Sequence, residues 1–332
     1  MSASDFSWLF REANDAESRD SRYRTWWARF SSRCAGPACP RKDRLWPSWL
    51  QKSEGIAFEG RWYCGRGCLE AVLGGRVHAL LSGFQQDRPR AHRVPLGLLL
   101  LRSGAISHAQ LREAIRLQRV AGQRRLGDWL QEIANLSAQQ LTTALAQQWG
   151  CPVFPLDNQA VPASWCDLIP LPVLESAAAV PAHAAADART LHIAFSDHVD
   201  HTLLYAVEQM LGCRTFACAA PEPAVHAQLD QFRRAAAGTE TVFDTVRESP
   251  EMTWTICNYA SELGAASLTV ARAGSYVWVR FFRDRSARDL LFRVLGSSPA
   301  VSRERSGAAM AKANGRPADE RKDGVSNAAL PV

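Results

Sequence analysis

The amino-acid sequence predicts an α+β protein that combines a small four-cysteine module, a tandem helix-hairpin repeat and a small α/β subdomain. Three observations support this class. Four cysteines cluster between positions 34 and 68, a 24-residue pattern occurs twice between 95 and 148, and short strand and helix patterns alternate from 151 to 233. The chain has 332 residues, of which 47% are hydrophobic, so it is long enough to form several such units.

The N-terminal segment, 1–33, is rich in tryptophan and arginine. Tyr23, Trp26, Trp27 and Phe30 recur at helical spacing and predict a helix over roughly 16–32. No basic stretch followed by an apolar core begins the chain, so we expect no secretory signal.

The segment 34–82 contains two short cysteine pairs, Cys34-x4-Cys39 and Cys64-x3-Cys68. Zinc is bound by four thiolates in a tetrahedron, and two chelating turns deliver them in pairs. We therefore predict a structural zinc site on these four cysteines, since four protein ligands leave no open position for catalysis. The alternative is a loop-rich module with four reduced thiols. The remaining cysteines are scattered and are interpreted as small core residues.

The 24-residue repeat covers 95–118 and 125–148, which align at an offset of 30 with eight identities. Each copy predicts a helix hairpin. Ser107 and Ser137 stand as N-caps of the second helices, and Gln110 and Gln140 follow at the capping-box spacing. A core of leucines does not explain the glycine at the third position or the glutamine at the last. A glutamine on an apolar helix face needs a partner, and a glycine permits close approach to the backbone.

The repeated pattern R-L-G-x2-L-x3-G-x6-L-x3-L-x2-Q resembles the tandem motifs of the MshEN family, the N-terminal domain of type II secretion and type IV pilus ATPases. The resemblance implies that the chain binds cyclic di-GMP, with one motif along each half of the two-fold ligand. It also implies that arginine and helix-start amides meet phosphate and guanine, that glutamine adds a polar contact, and that the leucines pack on the bases. The likeness continues over 151–233, whose order of strand, Asp-containing turn, helix, strand and helix is similar to the family's α/β half.

The resemblance implies ligand-binding residues in both copies. The first copy has Pro95 where the pattern has arginine, and Arg93 is a candidate to replace it; the second copy has Ala134 where the pattern has glycine. The matching positions of the first copy are Leu96, Gly97, Leu100, Gly104, Leu111, Ile115 and Gln118. Those of the second are Arg125, Leu126, Gly127, Leu130, Leu141, Leu145 and Gln148.

The remaining segments complete the predicted organisation. Residues 83–94 are polar and are interpreted as a linker to the MshEN-like domain over 95–233. Residues 240–296 distantly resemble the module that precedes the motor in secretion ATPases, and 297–332 are expected to be a disordered tail.

Several functional classes are excluded. The longest apolar run, 94–101, has eight residues, whereas a membrane helix needs about 20. No lysine follows a glycine, so the phosphate-binding loop of an ATPase is absent. The cluster SDHVDH at 196–201 is interpreted as a strand-to-helix turn. We therefore expect a cytoplasmic protein that is not an enzyme.

Three functions remain open. The first is a cyclic di-GMP receptor or adaptor without ATPase activity. The second is a ligand-free interaction module of a secretion or pilus system that keeps a structural zinc site. The third, a zinc-containing nucleic-acid binder, is suggested by the net charge of +6, but the chain has no base-reading motif. Residues 84–125 alone carry nine arginines against Asp87 and Glu113, so the surplus lies where an anionic nucleotide would dock.

Overall fold

The structure, a computed structural model, describes residues 31–40, 46–47, 55–82, 94–122, 124–158, 161–185, 188–236, 240–244, 248–283 and 286–294. Helical segments and strand-containing segments follow one another as separate groups along the chain, which confirms the α+β class. The predicted tail over 297–332, the linker apart from Val94, and Arg93 lie outside these residues. So does the predicted helix over 16–32, except for its last two residues.

The described part begins with short strands and one long helix. β1 (Ser31–Ser32) pairs antiparallel with β2 (Trp46–Pro47), so the predicted N-terminal helix is wrong at its last two residues, whose backbone hydrogen bonds join a strand. β3 (Ile56–Phe58) and β4 (Arg61–Tyr63) form a hairpin that leads into α1 (Arg66–Ser82). No helix was predicted in this segment. One face of α1 is buried through Leu69, Leu73 and Val77, which are spaced four residues apart.

The repeat forms a bundle of four helices: α2 (Leu96–Arg102), α3 (His108–Ala121), α4 (Leu126–Ala134) and α5 (Ala138–Trp149). α2 packs against α5, and α3 packs against α4. The centre of the bundle is built from three pairs of residues, and the members of each pair are 30 positions apart: Leu100 with Leu130, Ile106 with Leu136, and Ala114 with Ala144. The two copies therefore contribute equivalent side chains to one shared core.

The local signals of the repeat are confirmed. Both capping boxes are formed, with each serine accepting from the backbone of its glutamine and each glutamine accepting in return. Gly104 has φ +72° after the first helix. In the second copy α4 ends at Ala134, and Asn135 takes the left-handed conformation one residue later, with φ 51°. The glycine that the second copy lacks is thus replaced by an asparagine turn.

The α/β half follows the bundle. It consists of α6 (Leu171–Ala177), β5 (Ala179–Ala185), β6 (Thr190–Phe195), α7 (His201–Leu211), β7 (Arg214–Ala219) and α8 (Glu222–Ala235). β5 is antiparallel to β6, and β6 is parallel to β7. The alternation of short strands and helices predicted over 151–233 is therefore confirmed from α6 to α8.

The C-terminal part adds β8 (Glu240–Phe243), α9 (Ser249–Glu262), β9 (Ser267–Ala273), β10 (Tyr276–Arg283) and β11 (Ser286–Arg293). These strands join the N-terminal hairpin in a six-stranded sheet of order β4-β3-β9-β10-β11-β8. One sheet is therefore shared by two segments that were predicted to be separate modules, 34–82 and 240–296. β3 pairs with β9, and this buries Ile56 and Phe58 in a core shared with α9.

The six-stranded sheet is covered on both faces. α1 and α9 pack together, and their buried residues share one core with side chains of the sheet. Ala271, Tyr276, Trp278 and Leu291 belong instead to the core of the α/β half. Across the described segments, no helix is both long and apolar enough to cross a membrane.

Candidate functional site

Each motif copy forms a hydrogen bond from its terminal glutamine to the start of the other copy. Gln148 Nε2 donates to the carbonyl of Val94 over 2.7 Å, and Gln118 Nε2 donates to the carbonyl of Arg124 over 3.5 Å. Each acceptor stands two residues before the Leu-Gly of the other copy. We call residues 94–98 with Gln148 the first half-site, and residues 124–128 with Gln118 the second half-site.

The glycine at the third motif position is required by packing. Gly97 and Gly127 are both buried. A Cβ atom on Gly97 would lie 2.7 Å from Leu111 Cδ1, and one on Gly127 would lie 3.2 Å from Leu141 Cδ2. The first helix of each copy therefore lies so close to a leucine of the second helix that any larger residue would displace that leucine side chain.

The predicted apolar ligand contacts divide into two groups. Leu100 and Leu130 are 1% and 0% exposed and lie at the centre of the bundle, so in this structure they do not reach the surface. The other predicted apolar residues are half-buried and keep some accessible surface: Leu96, Leu111, Ile115, Leu126, Leu141 and Leu145. Gln118 and Gln148 are also half-buried, while Gly104 is exposed.

Arg125 lies at the centre of a charged cluster in the second half-site. Its Nη1 contacts Asp197 Oδ1 at 2.6 Å, and its Nη2 contacts both carboxylate oxygens of Glu222 at 2.9 and 2.8 Å. Asp128 is farther away, at 3.8 Å. The Arg125 side chain is 44% exposed, so the cluster stands at the surface where the bundle meets the α/β half.

Two elements of the α/β half supply these carboxylates. Asp197 follows β6, and Glu222 is the first residue of α8. Hydrogen bonds from His198 and Arg125 lower the pKa of Asp197 to about 2, so this carboxylate is ionised at neutral pH. Glu222 was absent from the sequence-based prediction, because 97 positions separate it from Arg125 and no local pattern links them.

The rest of the SDHVDH cluster behaves as the predicted turn. Asp200 Oδ1 accepts from the backbone of Thr202 and Leu203 and so caps α7. Thr202 Oγ1 in turn accepts from the backbone of Gly274, in the turn between β9 and β10. The turn therefore connects the second half-site with the six-stranded sheet.

The first half-site has the same backbone geometry but different chemistry. Pro95 has φ −58° and ψ 136°, close to the φ −71° and ψ 152° of Arg125. Val94 and Leu98 are 52% and 53% exposed, so the surface here is apolar. Among the residues of α2 and α5, Arg102 alone is charged.

The four predicted metal ligands come together in the structure. The sulfur atoms of Cys34, Cys39, Cys64 and Cys68 all lie within 4.8 Å of one another. Cys39 and Cys64 are 3.6 Å apart, and Cys64 and Cys68 are 3.8 Å apart. A tetrahedron with Zn–S bonds of about 2.3 Å places its sulfurs roughly 3.8 Å from each other. The spacing of the thiols therefore fits a single metal ion.

Backbone groups support this arrangement. The amides of Gly36 and Cys64 donate to Cys34 Sγ over 3.4 and 3.3 Å. A Cβ atom on Gly36 would stand 2.9 Å from Cys68 Sγ, so only glycine leaves room for the sulfur. Burial and the neighbouring thiols raise the pKa of Cys64 to about 11, which shows that the thiols alone disfavour a negative charge here. A cation would offset that penalty.

Part of the chain is similar to solved structures of other proteins. A solved structure of MshE with c-di-GMP is 33% identical in sequence, and the match covers 42% of this chain and 99% of that chain, with a TM-score of 0.36. The chain contains an MshEN-like domain.

Two structures of the XpsE N-terminal domain are also similar to part of this chain. One is 14% identical, covering 41% of this chain and 92% of that chain, with a TM-score of 0.31. The other is 16% identical, covering 44% of this chain and 99% of that chain, with a TM-score of 0.25. No family model and no curated protein matches the chain.

Proposed function

We propose that this protein is a cytoplasmic receptor or adaptor for cyclic di-GMP that lacks ATPase activity. The observation that carries the proposal is the reciprocal arrangement of the two motif copies, in which Gln118 and Gln148 each hold the start of the other copy. A ligand with two equivalent halves matches a bundle in which the two motif copies have the same backbone arrangement. The similarity to MshE with c-di-GMP supports the same ligand class.

The charged cluster links ligand binding to the contacts between the bundle and the α/β half. Arg125 belongs to the bundle, whereas Asp197 and Glu222 belong to the α/β half. A nucleotide that engages Arg125 competes with these carboxylates. Binding therefore alters the contacts that hold the bundle against the α/β half, and through them the surface presented to a partner in a secretion or pilus system.

Titration calorimetry with cyclic di-GMP tests this proposal. Arg125→Ala removes a charged hydrogen-bond donor and is expected to weaken binding by about ten- to one-hundred-fold. Arg116→Ala is the matched control, because Arg116 is an exposed bundle arginine that pairs only with Glu113 on its own helix in the described contacts. No heat at high protein concentration, or equal losses in both variants, would contradict the proposal.

The alternative function is a ligand-free interaction module. Two observations support this alternative. Pro95 stands where the motif has an arginine, and carboxylates already pair with Arg125. In that case Arg125 acts as a structural link between the bundle and the α/β half. Arg125→Ala would then lower the free energy of unfolding, while the wild-type protein would give no heat with cyclic di-GMP.

We further propose that the four cysteines hold one structural zinc ion. Cys64 follows β4 and Cys68 lies in the first turn of α1, so the ion would tie the N-terminal loop of 34–39 to the hairpin and the helix. Tetrahedral thiolate coordination suits zinc, and four protein sulfurs leave no position for a reacting water. The ion would stabilise the fold and take no part in a reaction.

Elemental analysis of the purified protein tests the metal. One zinc per chain is expected, and Cys64→Ser should lose it together with thermal stability. Cys151→Ser is the control, because Cys151 is a half-buried cysteine outside the cluster. A folded, metal-free protein with four thiols open to titration would contradict the zinc proposal.

A further inference from the structure

The two half-sites differ in the charges that they present to a ligand. The second half-site carries Arg125 together with the carboxylates of Asp197 and Glu222. The first half-site presents Val94, Pro95 and Leu98, all of them exposed. The backbone angles of Pro95 and Arg125 are alike, so the difference lies in the side chains and not in the fold.

The second half-site has the chemistry that selects guanine. Guanine offers acceptors at O6 and N7 and donors at N1 and the 2-amino group, whereas adenine has an acceptor at N1 and no 2-amino group. A guanidinium donates to O6 and N7, and a carboxylate accepts from the N1 and 2-amino groups. A base that takes the donors of Arg125 frees both carboxylates to accept from it, so the cluster supplies both kinds of contact in one place. Asp197 is ionised at neutral pH.

The first half-site lacks this discrimination. The α2–α5 pair, which forms it, contains no acidic residue. Its polar contact is Gln148, whose side-chain nitrogen is engaged by the carbonyl of Val94. An apolar surface packs against either purine, because guanine and adenine offer similar flat faces.

We infer that this protein reads only one base of its ligand: guanine in the second half-site, and either purine in the first. The hybrid cyclic dinucleotide with one guanine and one adenine is therefore a ligand alongside cyclic di-GMP. This inference rests on the proposed function, and it adds the base selectivity of each half-site.

Titration calorimetry of the full chain with three ligands tests the inference. The hybrid should bind within about three-fold of cyclic di-GMP, since the symmetric ligand gains only the factor of about two from its two equivalent orientations. Cyclic di-AMP should bind more weakly by about ten- to one-hundred-fold, the cost of one lost set of base contacts.

Other outcomes overturn the inference in distinguishable ways. A hybrid that binds as weakly as cyclic di-AMP shows that both half-sites demand guanine, and the receptor function then stands without the inference. Equal affinity for all three ligands shows that the charged cluster does not read the base. If none of the three ligands gives heat, the proposed receptor function is contradicted as well.

A double variant tests the assignment of selectivity to the second half-site. Asp197→Asn with Glu222→Gln should weaken cyclic di-GMP and the hybrid alike, and should bring both to within about three-fold of cyclic di-AMP. Glu175→Gln is the matched control, because its side chain is 37% exposed, as are those of Asp197 and Glu222, and it pairs with Arg233 away from the bundle. A selectivity unchanged in the double variant overturns the assignment.

Discussion

Glycine at the third motif position is explained by packing before any ligand is considered. The Cβ of Gly97→Ala would stand 2.7 Å from Leu111, and that of Gly127→Ala would stand 3.2 Å from Leu141. We expect Gly97→Ala to lower the free energy of unfolding by about 1–3 kcal/mol, since the Leu111 side chain must leave its packed position. Gly127→Ala should cost less. Urea denaturation followed by circular dichroism measures both.

Gly75 provides the control, because it lies on the exposed side of α1 and an added Cβ would meet open space. Gly75→Ala should raise the free energy of unfolding by about 0.4–1 kcal/mol through the lower entropy of the unfolded chain. If Gly97→Ala stabilised the protein as Gly75→Ala does, the close approach of α2 and α3 would not exist in solution.

At the level of single residues, the sequence could predict what local chemistry determines. The cysteine pairs and the serine caps depend on short spacings, and the structure forms both. The partners of Gln118, Gln148 and Arg125 depend on how distant segments pack, so their identity could not be read from spacing. The glutamines signalled only that a partner must exist.

The second helix of each copy begins at a capping box, which satisfies backbone groups at the helix N-terminus. Ser107→Ala removes the acceptor for the backbone of Gln110 and leaves the helix start without a side-chain cap. We expect a loss of about 1 kcal/mol in the free energy of unfolding, and Ser137→Ala should act alike. Thr143→Ala is the control, because Thr143 is exposed within α5 and alanine favours a helix. Equal stability of all three variants would contradict the capping role.

Helices and strands with an unbroken apolar periodicity could be predicted from the sequence, and the other elements could not. The bundle helices and the α/β half carry regular apolar spacing over many residues. β11 contains Arg288 and Asp289 before its apolar residues, so its alternation is interrupted. α1 contains Gly74 and Gly75 in its interior, which weakens the helical signal. Both elements form because the six-stranded sheet and its core stabilise them.

At the scale of the whole molecule, a buried ion pair within the six-stranded sheet lies next to the core of the α/β half. Arg280 and Asp289 face each other across β10 and β11, with side chains 5% and 9% exposed. Asp289 also accepts from Trp278 Nε1 over 2.8 Å, and Arg280 Nη2 reaches the carbonyl of Asp167 at 3.5 Å. The pair thus satisfies the polar groups buried between two parts of the fold.

Asp289→Ala should therefore destabilise the protein far beyond a surface change. It leaves the Arg280 guanidinium buried without its carboxylate, which costs about 3–5 kcal/mol. Asp244→Ala is the control: Asp244 pairs with Arg293 at 3.2 Å, but its side chain is 70% exposed, so a loss under about 1 kcal/mol is expected. Urea denaturation followed by circular dichroism measures both losses. A loss in Asp289→Ala no larger than the loss in Asp244→Ala would show that the buried pair does not stabilise the fold.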